Sequence, residues 1–427
     1  MNQPMDNKQK NGTVPENGRT LRADCDDIVN YAIAAVLPHT AVQRALNGKS
    51  FGSGRLILVS VGKAAYSMGV AAVRTLGERI DDGIIITKYG HRGEELPNIR
   101  TFEAGHPVPD ENTYLATDAV LKMTSGLTAD DTVLFLLSGG GSALFEKSMI
   151  PTEQTEKLFQ ELLASGADIV EVNTVRKHFS QVKGGRFAQH CAPARVFTIA
   201  LSDIVGDPLD MIASGPAYPD STTSADAAAI MDKYHIHLTA EMKIALQEET
   251  PKELDYVETI VTGSVKELCK AAEEACNKLG YETIVLTDSL GCEACEAGRF
   301  LSAIARKWSE DKKHVAILAG GETVVHLKGS GKGGRNQELA LSAAKEIRGI
   351  SNVCVFSVGS DGTDGPTDAA GGYADGETEE KLSKLGISSD AALRNNDAYT
   401  ALKAIDGLIM TGPTGTNVND VSVVLIR

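Results

Sequence analysis

The chain has 427 residues, 42 basic against 57 acidic, for a formal net charge of -15, with 42% hydrophobic and 23% charged residues. This is a globular composition with core enough for two domains, and its acidity argues against a partner built on a nucleic-acid phosphate backbone. No apolar run nears the ~20 residues that cross a bilayer, and the seven cysteines form no disulfide framework, since Cys292-x-x-Cys295 lacks the second pair or the histidines of a zinc site.

Residues 1–22 are polar, lack the apolar core of a secretory signal, and read as a disordered extension on a cytoplasmic protein. Residues 23–50 hold a helical pattern interrupted at Pro38 that suits packing on either domain. A first α/β domain is expected over 51–221. Its strand Leu56–Val61 turns at Gly62-Lys63 into an alanine-rich helix, which puts Lys63 at a strand-to-helix junction. Strands follow at 83–87 and 101–104, then a helix capped by Asp110. The next strand, Thr132–Leu137, ends in Ser138-Gly139-Gly140-Gly141-Ser142, a backbone nest for an anion or carboxylate. It is not the G-x-S-x-G elbow of a serine hydrolase. Arg176, Lys183 and Arg186 flank a further glycine pair; they suit either an anion site or the solvated face and C-cap of a helix. Asp203 and Asp207 follow the strand at 195–201, where carboxylates near phosphate suit Mg²⁺, although turns use the same residues.

Strands at 257–262, 283–286, 315–318 and 353–358 alternate with helices and predict a second mainly parallel sheet in a domain spanning 222–427. Glu322 lies at the end of one of these strands and faces the crevice. After a short strand expected at 324–327, Gly329, Gly331, Gly333 and Gly334 free the backbone to turn its N–H groups toward phosphate, with Lys332 and Arg335 supplying charge. Asn336 is read as the cap of the following helix. The glycines also satisfy G-x-G-x-x-G, a weak dinucleotide signal here because no clean acidic ribose partner follows. Asp361 opens a loop with three carboxylates, and Asn417 lies in the loop before an expected edge strand at 421–426.

Long strings accompany these loops in order: SVGKAA (60–65), SGGGSAL (138–144), KGGRFA (183–188), LSDIVGDPLDMIASGP (201–216), GGET (320–323), GKGGRNQELAL (331–341), DGTDGPTDAAGG (361–372) and TGPTGTNVND (411–420). Over nearly the whole chain after residue 24 they resemble the glycerate 2-kinase family of the type with a C-terminal MOFRL module. The resemblance implies two Rossmann-like α/β domains with mainly parallel sheets covered by helices, facing an active-site cleft. It also implies phosphorylation of D-glycerate by ATP and Mg²⁺ to 2-phosphoglycerate, with Lys63 and Arg335 as catalytic cations. Residues expected to bind substrate or phosphate are Ser138, Gly139, Gly140, Gly141, Ser142, Arg176, Lys183, Arg186, Gly331, Gly333, Gly334, Asn336 and Asn417. Those expected to hold Mg²⁺ are Asp203, Asp207, Glu322 and Asp361. Phe145 after SGGGSAL and the extended N-terminus depart from the family pattern without touching either cation. No nucleic-acid or membrane partner is expected, and a homodimer is compatible with the reading. The rivals are an NAD(P)-dependent hydroxypyruvate reductase and a ligand-binding regulator that closes on a sugar acid without turnover.

Overall fold

The computed structural model describes residues 19–310 and 314–427. Among the described residues twelve strands form two six-stranded sheets. The first contains β1 (Leu56–Val61), β2 (Asp82–Lys88), β3 (Ile99–Ala104), β4 (Thr132–Leu137), β5 (Arg195–Leu201) and β6 (Val257–Gly263) in the order β3-β2-β1-β4-β5-β6, every neighbouring pair parallel. Both faces are covered. Ile57, Val59 and Val61 enter one core with Phe135 and Phe187, while Leu56 and Leu58 enter the other with Met68 and Phe197. This is the two-residue alternation of a strand buried on each side. The winding reverses between β1 and β4, and the ends of those two strands flank the crevice where ligands enter such sheets. Lys63 and Ser138–Ser142 are the segments that leave those ends.

The second sheet is mixed. Its strands are β7 (Glu282–Leu290), β8 (Val315–Gly321), β9 (Val353–Gly359), β10 (Gly371–Asp375), β11 (Leu408–Ile409) and β12 (Asp420–Ile426), in the order β11-β10-β9-β12-β8-β7. Only β7 and β8 pair in parallel. β12 lies between β8 and β9, antiparallel to both and buried throughout. The expected edge strand at 421–426 is therefore central. Its apolar run fills both faces, Val421, Val423 and Leu425 on one and Val424 and Ile426 on the other.

Two further expectations change. The strand at 257–262 belongs to the first sheet, paired with β5, and the helices Ser224–Lys233 and Ala240–Ala245 pack with residues of the first half. The sheets therefore do not divide at 221/222. Residues 324–327 form no strand; Val324 makes a single bridge to Glu293.

At the N-terminus, residues 1–18 of the expected extension lie outside the described residues, and a helix already starts at Leu21 under a Thr20 cap. That helix, Leu21–Val36, packs on the second sheet. Pro38 opens the next, Pro38–Leu46, as a ring without an N–H suits a first helical turn, and this one packs on the first sheet. The two helices join the halves. Among the described residues no helix is long and apolar enough to cross a membrane.

Candidate active site

The crevice of the first sheet is built by close backbone approach. Gly62 has φ +124°, and a Cβ there would lie 2.2 Å from Ser138 Oγ. The Lys63 amide donates to the Gly139 carbonyl (2.9 Å) and the Ala64 amide to Ser138 Oγ (3.1 Å). Ser138 is thus a buried structural tie, and Gly141 is packed against Ala213. Gly139 and Gly140 face the crevice. A Cβ on Gly139 would lie 2.2 Å from Asp203 Oδ2, and one on Gly140, at φ +85°, would lie 2.9 Å from the His106 ring and 3.2 Å from Lys63 Cγ. Lys63, His106 and Asp203 therefore ring two half-buried glycines. Burial raises the Asp203 carboxyl above its usual range; Lys63 opposes the rise and Glu322 adds to it. Burial, with Lys63 and Lys88, lowers His106 and favours its neutral form.

A cleft of about 560 Å³ opens from these glycines. Ser142 lines it and shares a hydrogen bond with Ser214 (3.0 Å), which donates to Asn173 Oδ1 (2.9 Å), an atom that also accepts from Arg176 (3.2 Å). Of the expected cations, Arg176 alone lines this cleft. Lys183 is fully buried, paired with Glu146 (3.1 Å) and donating to the Phe145 carbonyl (2.6 Å). Arg186 donates to the carbonyls of Lys177, Ser180 and Glu248. Both are internal braces rather than anion ligands.

On the second sheet, Arg335 opens the helix Arg335–Glu346. It donates twice to Asp420, from Nε (2.5 Å) and Nη2 (3.0 Å), and from Nη1 to Glu322 (2.7 Å). Glu322 also lies within electrostatic reach of Asp203. The resulting array runs Lys63, Asp203, Glu322, Arg335, Asp420.

The expected phosphate nest at 329–334 is filled by the protein itself. The amides of Lys328 and Gly329 donate to Asn396 Oδ1 (2.7 and 3.0 Å), that of Ser330 to Asn395 Oδ1 (3.2 Å), that of Gly331 to the Asn395 carbonyl (2.8 Å) and that of Lys332 to Asp397 Oδ1 (3.0 Å). A Cβ on Gly331 would lie 2.4 Å from Asp397 Cβ, and one on Gly333 3.2 Å from the Ala398 amide nitrogen. These glycines let the loop lie against residues 395–398. Lys332 stacks over Tyr399 at 4.4 Å. The helix start is met in the same way. Gly334, not Asn336, takes the cap position, and the Asp364 carboxylate accepts from the amides of Asn336 (3.2 Å) and Gln337 (2.9 Å). Asn336 itself is buried and accepts from Ser357 (2.5 Å). Burial pushes the Asp364 carboxyl up to about 6, although both amides favour its charge.

Among the described residues no group of three His, Cys, Asp or Glu is poised to hold a metal. Of the four expected carboxylates, only Asp203 and Glu322 are shown to feel one another electrostatically. Asp361 accepts from the Thr363 amide in its own turn (2.9 Å), and Asp207 sits at φ +50° with one oxygen buried and unpartnered. Asn417 is exposed and accepts from the Asn419 amide (3.4 Å).

Two family models match the chain: "Domain of unknown function (DUF4147)" over residues 24–247 and the MOFRL family over 315–420. The D-glycerate 2-kinase of Thermotoga maritima is 51% identical over 406 residues, covering 94% of this chain and 97% of that protein. The chain belongs to the glycerate 2-kinase family. A crystal structure of glycerate kinase from Thermotoga maritima superposes with a TM-score of 0.92 at 50% identity, over 95% of this chain and 99% of the other. A chain of Agrobacterium vitis, provisionally named a hydroxypyruvate reductase, is 40% identical over 93% of each. In this member of the glycerate 2-kinase family, motif reading singles out Lys63 and Arg335 and the carboxylate loop that holds Asp364, but not His106, Asn173, Ser214 and Asp420, which the structure sets near them. Asp420 ends the string TGPTGTNVND; once its strand is known to lie between β8 and β9, its position beside Glu322 and Arg335 follows.

Proposed function

We propose that the protein transfers the γ-phosphoryl group of ATP to the 2-hydroxyl of D-glycerate, releasing ADP and 2-phosphoglycerate. One observation carries this reading: a chain 51% identical to a D-glycerate 2-kinase over nearly its whole length sets one cation from each sheet about the carboxylates Asp203 and Glu322. Phosphoryl transfer asks chiefly for alignment and charge stabilisation. Lys63 and Arg335 face the transferring group from opposite sides, and Asp420 holds the Arg335 fork in one orientation before substrate arrives. Phosphate oxygens then take the place of Glu322 on Nη1.

Magnesium fits the site, because it takes one or two carboxylates and completes its shell with phosphate oxygens and water. Asp203 and Glu322 would hold it, and a cation beside Asp203 offsets the burial, and the smaller effect of Glu322, that raise its carboxyl. The ion, when bound, neutralises phosphate charge so that an alcohol can approach. We assign D-glycerate and ATP as the partners, with no nucleic acid or membrane. A cytoplasmic location suits seven free cysteines.

The name of the Agrobacterium vitis relative favours a second reading, NAD(P)-dependent reduction of hydroxypyruvate. Against it, the G-x-G-x-x-G amides that would cradle a pyrophosphate already bond to Asn395, Asn396 and Asp397. A ³¹P spectrum after incubation with D-glycerate, ATP and Mg²⁺ tests the kinase reading. The expected product is 2-phosphoglycerate, absent when the metal is chelated. No phosphorylated glycerate, together with loss of nicotinamide absorbance on hydroxypyruvate, would replace the kinase with the reductase.

A further inference from the structure

We propose that the cleft beside the first sheet seats the adenine nucleoside of the phosphoryl donor, with Glu146 and Arg176 reading the edge of the base. This rests on the kinase reading above. The first ground is size. At about 560 Å³ the cleft falls within the ~300–1,000 Å³ that enclose a ligand of nucleoside dimensions. A three-carbon acid would leave most of it empty.

The second ground is the chemistry of the walls. Pro109, Phe159, Leu163, Ile169 and Met211 line the cleft. A molecule made of one carboxylate and two hydroxyls gains nothing from such walls, whereas a flat heteroaromatic ring buries both faces on them. The third ground is direction. One end of the cleft is formed by Gly139, Gly140 and Asp203, beside Lys63. A nucleotide lying along it brings its phosphates to the proposed catalytic cation and leaves its base among the apolar residues.

The fourth ground is an unmet hydrogen bond. Glu146 is 5% exposed and lines the cleft. Its Oε2 pairs with Lys183 at 3.1 Å, but its Oε1 is buried with no partner. A buried acceptor left unpaired is costly, and a bound donor removes the cost. Arg176 lies within electrostatic reach of Glu146, its guanidinium 4.9 Å from the Phe159 ring centroid. An acceptor beside a donor complements adenine, whose amino group adjoins the ring nitrogen N1. Guanine presents the reverse order, a carbonyl beside an N–H, and is rejected.

The test is direct binding of ADP and GDP to the full chain by calorimetry, alongside KM values for ATP and D-glycerate. Leu163 is 68% exposed at the lip of the cleft, so Leu163→Glu changes the wall without removing core. Leu163→Glu and Phe159→Ala are each expected to weaken ADP roughly tenfold or more, while KM for D-glycerate moves far less. Glu146→Gln is expected to erase the preference for ADP over GDP. It also strips buried Lys183 of its counter-charge, so Leu163→Glu decides the question if that variant fails to fold. Unchanged ADP affinity in Leu163→Glu and Phe159→Ala, with a raised KM for D-glycerate, would overturn the proposal and assign the cleft to the acid. Failure of the kinase reading shows separately, as a wild-type protein that binds ADP in this cleft yet forms no phosphorylated glycerate.

Discussion

Arg335 gives its guanidinium to two carboxylates at once, and the one it holds bidentately, Asp420, is buried. Its orientation is thus fixed before any phosphate arrives, and the role proposed for it is to meet charge that develops in transfer. Lys63→Ala and Arg335→Ala are each expected to lower kcat by about a hundredfold or more, equivalent to about 3 kcal/mol, with a smaller change in ATP affinity. Arg335→Lys should rescue poorly, since an ammonium has no planar fork. Asp420→Asn should lower kcat by roughly tenfold through loss of alignment. Steady-state kinetics on the four variants, with ATP affinity measured separately, check this; near-normal turnover in the first two would remove both residues from the chemistry. Asp364 offers a pH test. Its carboxyl stands near 6 in the fold against ~3.9 in an unfolded chain, so folding favours the proton. Its contribution is complete below about pH 4 and is lost as pH rises through about 6, a change on the order of 3 kcal/mol. The thermal midpoint of the wild type relative to Asp364→Asn should therefore be higher at pH 5 than at pH 7.5, and a difference independent of pH would refute the shift. Lys63 and Arg335 are legible in the sequence because each stands beside glycine at a junction into a helix. Asp420 is not, because its partner lies 85 residues away and only the sheet order brings them together.

Among the elements, the glycine-rich loop shows how a motif misleads. A string of glycines frees N–H groups, but spacing alone does not say what takes them. Here Asn395, Asn396 and Asp397 do, and they sit 64 residues or more further along the chain. Asn396 also donates to buried Glu338 (2.7 Å). Asn396→Ala is expected to cost about 2–4 kcal/mol in urea unfolding, because it strands two amides and a buried carboxyl, and to raise hydrogen exchange over 328–332 first. Wild-type exchange there would mean the loop is held by other contacts. The alternation of strands and helices makes the first sheet readable almost strand by strand. The second defeats the same reading, since a strand at the end of a chain inserts into a sheet centre without any local mark except its continuous burial. β6 fails for a related reason: two helices precede it, and nothing between them records that the chain returns to the first sheet.

For the whole molecule, the proposed active-site array needs both sheets, because Lys63 and Asp203 leave the first and Glu322, Arg335 and Asp420 belong to the second. The helices Leu21–Val36 and Pro38–Leu46 tie these halves together, with Leu37 alone between them. The first of these helices buries Cys25, Ile28, Ala32 and Val36 against a cluster that includes Val421, Val423 and Leu425 of β12, and Asp24 pairs with Arg427. During synthesis the helix leaves the ribosome some four hundred residues before that strand does. Its apolar face has no partner until the helix Val265–Lys278 and then β12 have been made, so an early segment packs late. A nascent chain that stalls before Val265–Lys278 shows that face to chaperones and proteases, and one that stalls before β12 leaves it only partly concealed.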